Sequence, residues 1–253
     1  MAAAAAFALA VVSTPAGISG AVLLLPFQVS VLGTPSPAVT PTNLLYNVIA
    51  TPGALYRYRR QGQSGGRLTR LLIAGTLPGV VAGSVIRVLL LPGPRVFSLV
   101  VAAVLLPLGT WLGLTGPPSA GDDGLRRIPD PVLVLLSALV GCAGGIYGIG
   151  GGSVLAPVLI GAGYEAAMVA PAALASTFTT SVAGVITFTA LSAAHHGAAA
   201  PDWPTGIALG AGGLAGAYAG ARLQARLPDT LIRRLVGIAV TAIGARYLWV
   251  GLG

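Results

Sequence analysis

The chain has 253 residues, 55% of them hydrophobic and only 8% charged, with a mean hydropathy of +0.87. A water-soluble domain carries roughly 25% charged residues, so this composition excludes a surface that faces water and points to lipid as the solvent. The formal charge of +8 comes from 14 basic residues, all of them arginine, and these cluster between apolar runs, which suits topological anchoring and anionic lipid head groups and not nucleic acid.

At about 20 apolar residues per crossing, the length allows one integral membrane domain with roughly six to nine crossings. Residues 3–32 form a first apolar stretch, interrupted by Pro15, Gly17 and Gly20. The opening MAAAAAFALAVV is similar to the apolar part of a signal peptide, but it lacks a basic n-region and is read as retained. The stretch is too long for one simple span and too short for two, so a broken or re-entrant helix is expected. A turn follows at Gly33–Pro37.

The next span, 38–56, carries Asn43, Tyr46, Asn47 and Thr51 on one helical face. In lipid such a stripe must face protein or a water-filled path. A basic loop with Arg57, Arg59, Arg60, Arg67 and Arg70 leads to spans at 71–91 and 96–114, joined at Pro92–Pro94. The polar stretch 116–131 then divides the chain into a first repeat (1–115), a central cytoplasmic linker and a second repeat (132–253).

The second repeat opens with an apolar stretch, 132–162, broken between Gly144 and Gly152. The span 167–191 presents Thr177, Thr180 and Ser181 on one face. His195 and His196 fall in the next loop, where two adjacent histidines are more simply solvated than metal-bound. Spans at 204–221 and 232–250 complete the chain. The single Cys142 excludes an internal disulfide and a cysteine-based metal cluster. Neither a cofactor nor a metal is expected.

The two halves correspond. Gly17-Ile18-Ser19-Gly20 and Gly148-Ile149-Gly150-Gly151 are 131 positions apart, and each first glycine is followed nine residues later by a proline, Pro26 or Pro157. A one-residue deletion then brings Asn47 onto Thr177 and Thr51 onto Ser181. If both broken segments are re-entrant, each half crosses three times and the halves are inverted. The 57–70 loop, the linker and the 222–234 segment then share one side, with eleven of the fourteen arginines, as the positive-inside tendency asks. The expectation is an all-α polytopic integral membrane protein of two inverted repeats. Each is a glycine-broken, re-entrant helical segment plus about three transmembrane helices. Both termini are extracytoplasmic and the basic side lies within the cytoplasmic membrane's inner face.

The stretch GIGGGSVLAPVLIGAGYEAAMVAPAALASTF resembles the glycine-rich repeat of the TauE/SafE family of sulfite and organosulfonate permeases. GISGAVLLLPFQVSVLGTPSPAVTPTNLLYNV, followed by YRYRR, resembles that family's first repeat, with Ser19 and Ala21 where glycines are usual. The resemblance implies transport of small sulfur-containing anions, often outward across the cytoplasmic membrane.

A helix broken in mid-membrane exposes backbone N–H groups, which attract anions, and glycine lets a ligand approach them. The candidate anion site therefore comprises Ser19, Gly20, Gly148, Gly150, Gly151, Gly152 and Ser153. Asn43, Asn47, Thr177, Thr180 and Ser181 are candidate neutral donors, and Tyr46 and Tyr147 candidate gates. Close helix packing is the rival explanation of the glycines, but packing alone does not need four glycines in five residues; a hydroxyl such as that of Ser153 can instead bond back to its own helix. Arg87 is read as an interfacial residue. The carboxylates sit near span ends, against a mid-membrane proton relay. The expected partners are a small anionic substrate and the bilayer, with self-association left open. Export by alternating access is the leading reading; a passive anion channel and a non-transporting membrane enzyme or scaffold are its rivals. An enzyme is not expected, because no nucleophile or acid–base constellation is evident.

Overall fold

The computed structural model describes residues 1–33, 36–63, 66–89, 128–194 and 200–252, with isolated positions between 99 and 114. The Pro92–Pro94 turn, most of the 96–114 span and of the central linker, and His195–His196 lie outside the described residues. Helices α1 (Ala2–Ser13) and α2 (Ala21–Ser30) flank a 3-10 turn at Thr14–Ala16. They are followed by α3 (Ser36–Arg60), α4 (Gly66–Leu89), α5 (Asp130–Tyr147), α6 (Gly151–Gly161), α7 (Ala166–Ala194), α8 (Trp203–Gln224) and α9 (Asp229–Leu252). All regular structure among the described residues is helical. Of these helices α4, α5 and α7 are both long and apolar enough to cross a bilayer.

Helix boundaries extend beyond the expected spans. Prolines lie inside α3 (Pro41, Pro52), α4 (Pro78) and α7 (Pro171) without ending them, because neighbouring helices stabilise the segment around each missing N–H. The second break is narrower than the interval 144–152. Helix α5 continues through Gly144 and Gly145 to Tyr147, and the chain reverses at Gly148 and Gly150, with φ of 71° and 72°. A side chain would be strained at either position. The Gly148 N–H closes α5 on the carbonyl of Gly144 at 2.8 Å, the αL way of ending a helix. Gly17, with φ 73°, ends the 3-10 turn in the same conformation.

After this reversal α6 runs back along α5. The start of α6 lies against α5, where a Cβ on Gly151 would stand 3.2 Å from the Cα of Gly141. Beyond its end, the Tyr164 hydroxyl accepts the N–H of Ile128 at 3.2 Å. Both ends of the α5–α6 hairpin therefore meet at one end of the bundle. The first break folds similarly. Gly20 faces Tyr46, and Phe27 packs back on the cluster that holds Ala6 and Tyr46.

Two glycine ladders bind these hairpins to the long helices. Gly75, Gly79 and Gly83 on α4 press on the carbonyls of Val134, Ala138 and Cys142 on α5. Gly212, Gly216 and Gly220 on α8 press on those of Ala3, Phe7 and Val11 on α1. Each α1 residue in this set stands 131 positions before its α5 counterpart, the same spacing as the glycine breaks. In lipid there is no hydrophobic gain between helices, so close backbone approach over small residues is what holds them.

One end of the bundle is basic. Arg67 pairs with Asp130, and Gln61 Nε2 donates to the carbonyl of Ala221 at 3.5 Å. The end of α3, the start of α4, the start of α5 and the end of α8 thus lie together, and the expected 57–70 loop is mostly helical, with Arg57, Arg59 and Arg60 in α3 and Arg67 and Arg70 in α4.

Candidate functional site

The two breaks meet in the middle of the bundle. The backbone N–H of Ser19 donates to Oγ of Ser153 at 3.1 Å. Ser19 Oγ accepts the N–H of Ala21 at 3.2 Å and donates to Asn47 Oδ1. Ser153 Oγ lies 3.5 Å from Thr177 Oγ1. A Cβ on Gly150 would stand 3.2 Å from Asn47 Nδ2, so Asn47 reaches the second break as well as the first. Ser19, Asn43, Asn47, Ser153, Thr177, Thr180 and Ser181 are all buried. The polar stripes of α3 and α7 thus face inward, as their spacing requires.

The hydroxyls on these stripes are used differently. Thr180 Oγ1 donates to its own helix, to the carbonyls of Ser176 at 2.7 Å and Thr177 at 3.1 Å. Thr51 does the same to Asn47. Ser181 Oγ is buried with no partner. Asn43 Nδ2 donates to the carbonyl of Ala21 at 3.2 Å, and Asn43 Oδ1 accepts from Gln28.

Each glycine of the second break has a steric reason to be glycine. Gly148 abuts Thr40, Gly150 abuts Thr177, Gly151 abuts Thr76 and Gly152 abuts Ala173. Gly152 would also bring a Cβ to 2.7 Å from Thr177 Oγ1. Close packing accounts for glycine at each of these positions. Helix α6 begins at these glycines, so its first backbone N–H groups lie within this packed region. Gly20 packs on the Tyr46 hydroxyl, and the Tyr46 ring is wedged against Gly213. Tyr147 sits at the elbow of the second hairpin, within electrostatic reach of the half-buried Arg87.

Four buried polar residues, among others, escaped the reading by stripe. Gln28 on α2 is one, and its signal was a lone amide in an apolar run. Thr76 and Ser176 pair hydroxyl to hydroxyl at 2.8 Å between α4 and α7. Gln224 Nε2 ties the carbonyl of Pro15, at 2.8 Å, to that of Ala166, at 3.2 Å. No group of three or more potential metal ligands exists among the described residues.

A family model described as "Sulfite exporter TauE/SafE" matches residues 2–247. No curated protein and no solved structure matches the chain. The family match spans nearly the whole chain, which therefore belongs to the TauE/SafE family. Membership makes it a membrane transporter of the sulfite-exporter kind.

Proposed function

We propose that this member of the sulfite exporter TauE/SafE family carries a small sulfur oxyanion outward across the cytoplasmic membrane by alternating access, holding it between the two glycine breaks. The observation that carries this reading is the sealed centre. Ser19, Asn47, Ser153 and Thr177 are at most 3% exposed, yet Asn47 Nδ2 has no partner. A buried donor without an acceptor costs about 1–3 kcal/mol, and an anion at the breaks would supply the acceptor. The N-terminal turn of α6 adds backbone N–H groups and the favourable end of its dipole. A closed central site suits a carrier that exposes it to each side in turn better than an open channel.

Further support comes from the internal correspondence of the halves, 1–115 and 132–253. The ladder of α4 on α5 recurs as α8 on α1, and the breaks recur at the same spacing. Helices α3 and α7, the equivalent polar spans, run in opposite directions, since Tyr58 and Ala54 cluster with Ala170 and Leu174 while Leu44 clusters with Phe188. Such inverted repeats rock about a fixed site in secondary transporters. The basic end faces the cytoplasm on this reading, and both termini lie outside.

The test is reconstitution of the purified protein in liposomes with radiolabelled sulfite. Saturable flux, accelerated by unlabelled sulfite on the opposite side, is expected. Flux linear in concentration would make it a channel, and no anion flux at all would remove transport from this site.

A further inference from the structure

The central site contains a second orphan of opposite sense. Gln28 and Asn47 are both 0% exposed, and Gln28 Oε1 and Asn47 Nδ2 both lack hydrogen-bond partners. The orientation of the Gln28 amide is fixed by the backbone. Asn43 Nδ2 donates to the carbonyl of Ala21 at 3.2 Å, which only an N–H can do. Asn43 must then present its oxygen to Gln28, and Gln28 must answer with its NH2 group. That leaves Gln28 Oε1 as a free acceptor. Ser19 Oγ accepts the N–H of Ala21 at 3.2 Å and donates its own proton to Asn47 Oδ1. That leaves Asn47 Nδ2 as a free donor.

Asn43 and Asn47 are one helical turn apart on the same face of α3, so the two amide systems are neighbours. At the place equivalent to Gln28 the second half has Leu159. The acceptor is thus a feature of one half only and gives the site a polarity that the duplication itself does not.

We propose that Gln28 selects, among singly charged sulfur oxyanions, those that carry a hydrogen to donate. The anion's oxygen takes the N–H of Asn47, and its own O–H or N–H goes to Gln28 Oε1. Hydrogensulfite fits this pattern, as does a sulfonate with an amino or hydroxyl group; a fully deprotonated sulfate does not. None of the hydrogen bonds of these two amides among the described residues is to an Arg, Asp, Glu or His, so no charged partner at them offsets a second negative charge. This inference rests on the anion site proposed above.

The test uses two monoanions of similar size, sulfamate with N–H donors and methanesulfonate with none, titrated against the purified full-length protein by calorimetry, beside sulfite. Sulfamate is expected to bind about tenfold more tightly than methanesulfonate, the worth of one neutral hydrogen bond plus an avoided orphan. In Gln28→Leu, which copies the second half, the ratio is expected to fall to about one as sulfamate weakens. Equal affinities in the unmodified protein, or a ratio unchanged in Gln28→Leu, overturns the role of Gln28 while sulfite binding keeps the anion site. Failure of all three anions to bind overturns both. The wild-type ratio decides the matter even if the variant does not fold.

Discussion

The N–H of Ser19 is bonded to the hydroxyl of Ser153, a residue 134 positions away, at 3.1 Å. Each belongs to one of the two breaks, so this bond closes one half of the chain on the other. Ser153→Ala leaves a buried N–H without its acceptor, at a cost of about 1–3 kcal/mol. The melting temperature in detergent is expected to fall by several degrees, with sulfite flux reduced. An unchanged melting curve would mean that the N–H finds another acceptor.

Asn47→Asp separates the two roles of that side chain. The carboxylate still accepts the proton of Ser19, but the free donor is lost and a negative charge faces the proposed anion site. Sulfite binding is expected to weaken by at least about tenfold, in line with 1–3 kcal/mol for a lost donor, in a protein that still purifies as a monodisperse species. Normal flux in this variant would place the substrate elsewhere.

The glycine ladders predict paired sensitivity. A side chain at Gly79 meets the backbone of Ala138 and Cys142, and one at Gly216 meets that of Phe7. Backbone cannot move aside as a flexible side chain can. Gly79→Val and Gly216→Val are each expected to destabilise by about 1–3 kcal/mol or more, whereas Ala82→Val, on the exposed side of α4, stays close to neutral. Thermal melts of the three variants check this. A tolerant ladder would show that α4 and α8 are free to slide on the hairpins.

The shared basic end can be read by labelling. In a Cys142→Ala background, Arg60→Cys and Arg226→Cys, both at exposed positions, are expected to react with a membrane-impermeant maleimide from the same, cytoplasmic face of inverted vesicles. Labelling from opposite faces would contradict the pairing of Gln61 with Ala221 and the inverted arrangement with it.

The burial of the candidate site's polar stripes was legible because membrane physics leaves polar residues few places to go. Asn43, Asn47, Thr177 and Ser181 share faces in apolar helices, and all four are buried. The glycines marked the breaks because a left-handed backbone at Gly148 and Gly150 excludes other residues. The ladders had a signal too, glycine at every fourth residue of α4 and α8, which is the small-residue packing pattern of membrane helices.

The destination of each hydrogen bond was not legible. Thr180 and Asn47 look alike as members of a polar stripe, yet the threonine hydroxyl returns to its own helix while the asparagine amide crosses to Ser19 in the first break and keeps a free donor. Gln28 carried only the faint signal of one amide in a hydrophobic run. The sequence by itself determined that the chain is helical, is built of apolar spans and breaks at Gly17–Gly20 and Gly148–Gly150, because composition, periodicity and the conformational demands of glycine act locally. Only the tertiary structure decided that the two breaks touch, and which buried atoms are left without partners. Those properties depend on distances between segments more than a hundred residues apart, and no local pattern encodes them.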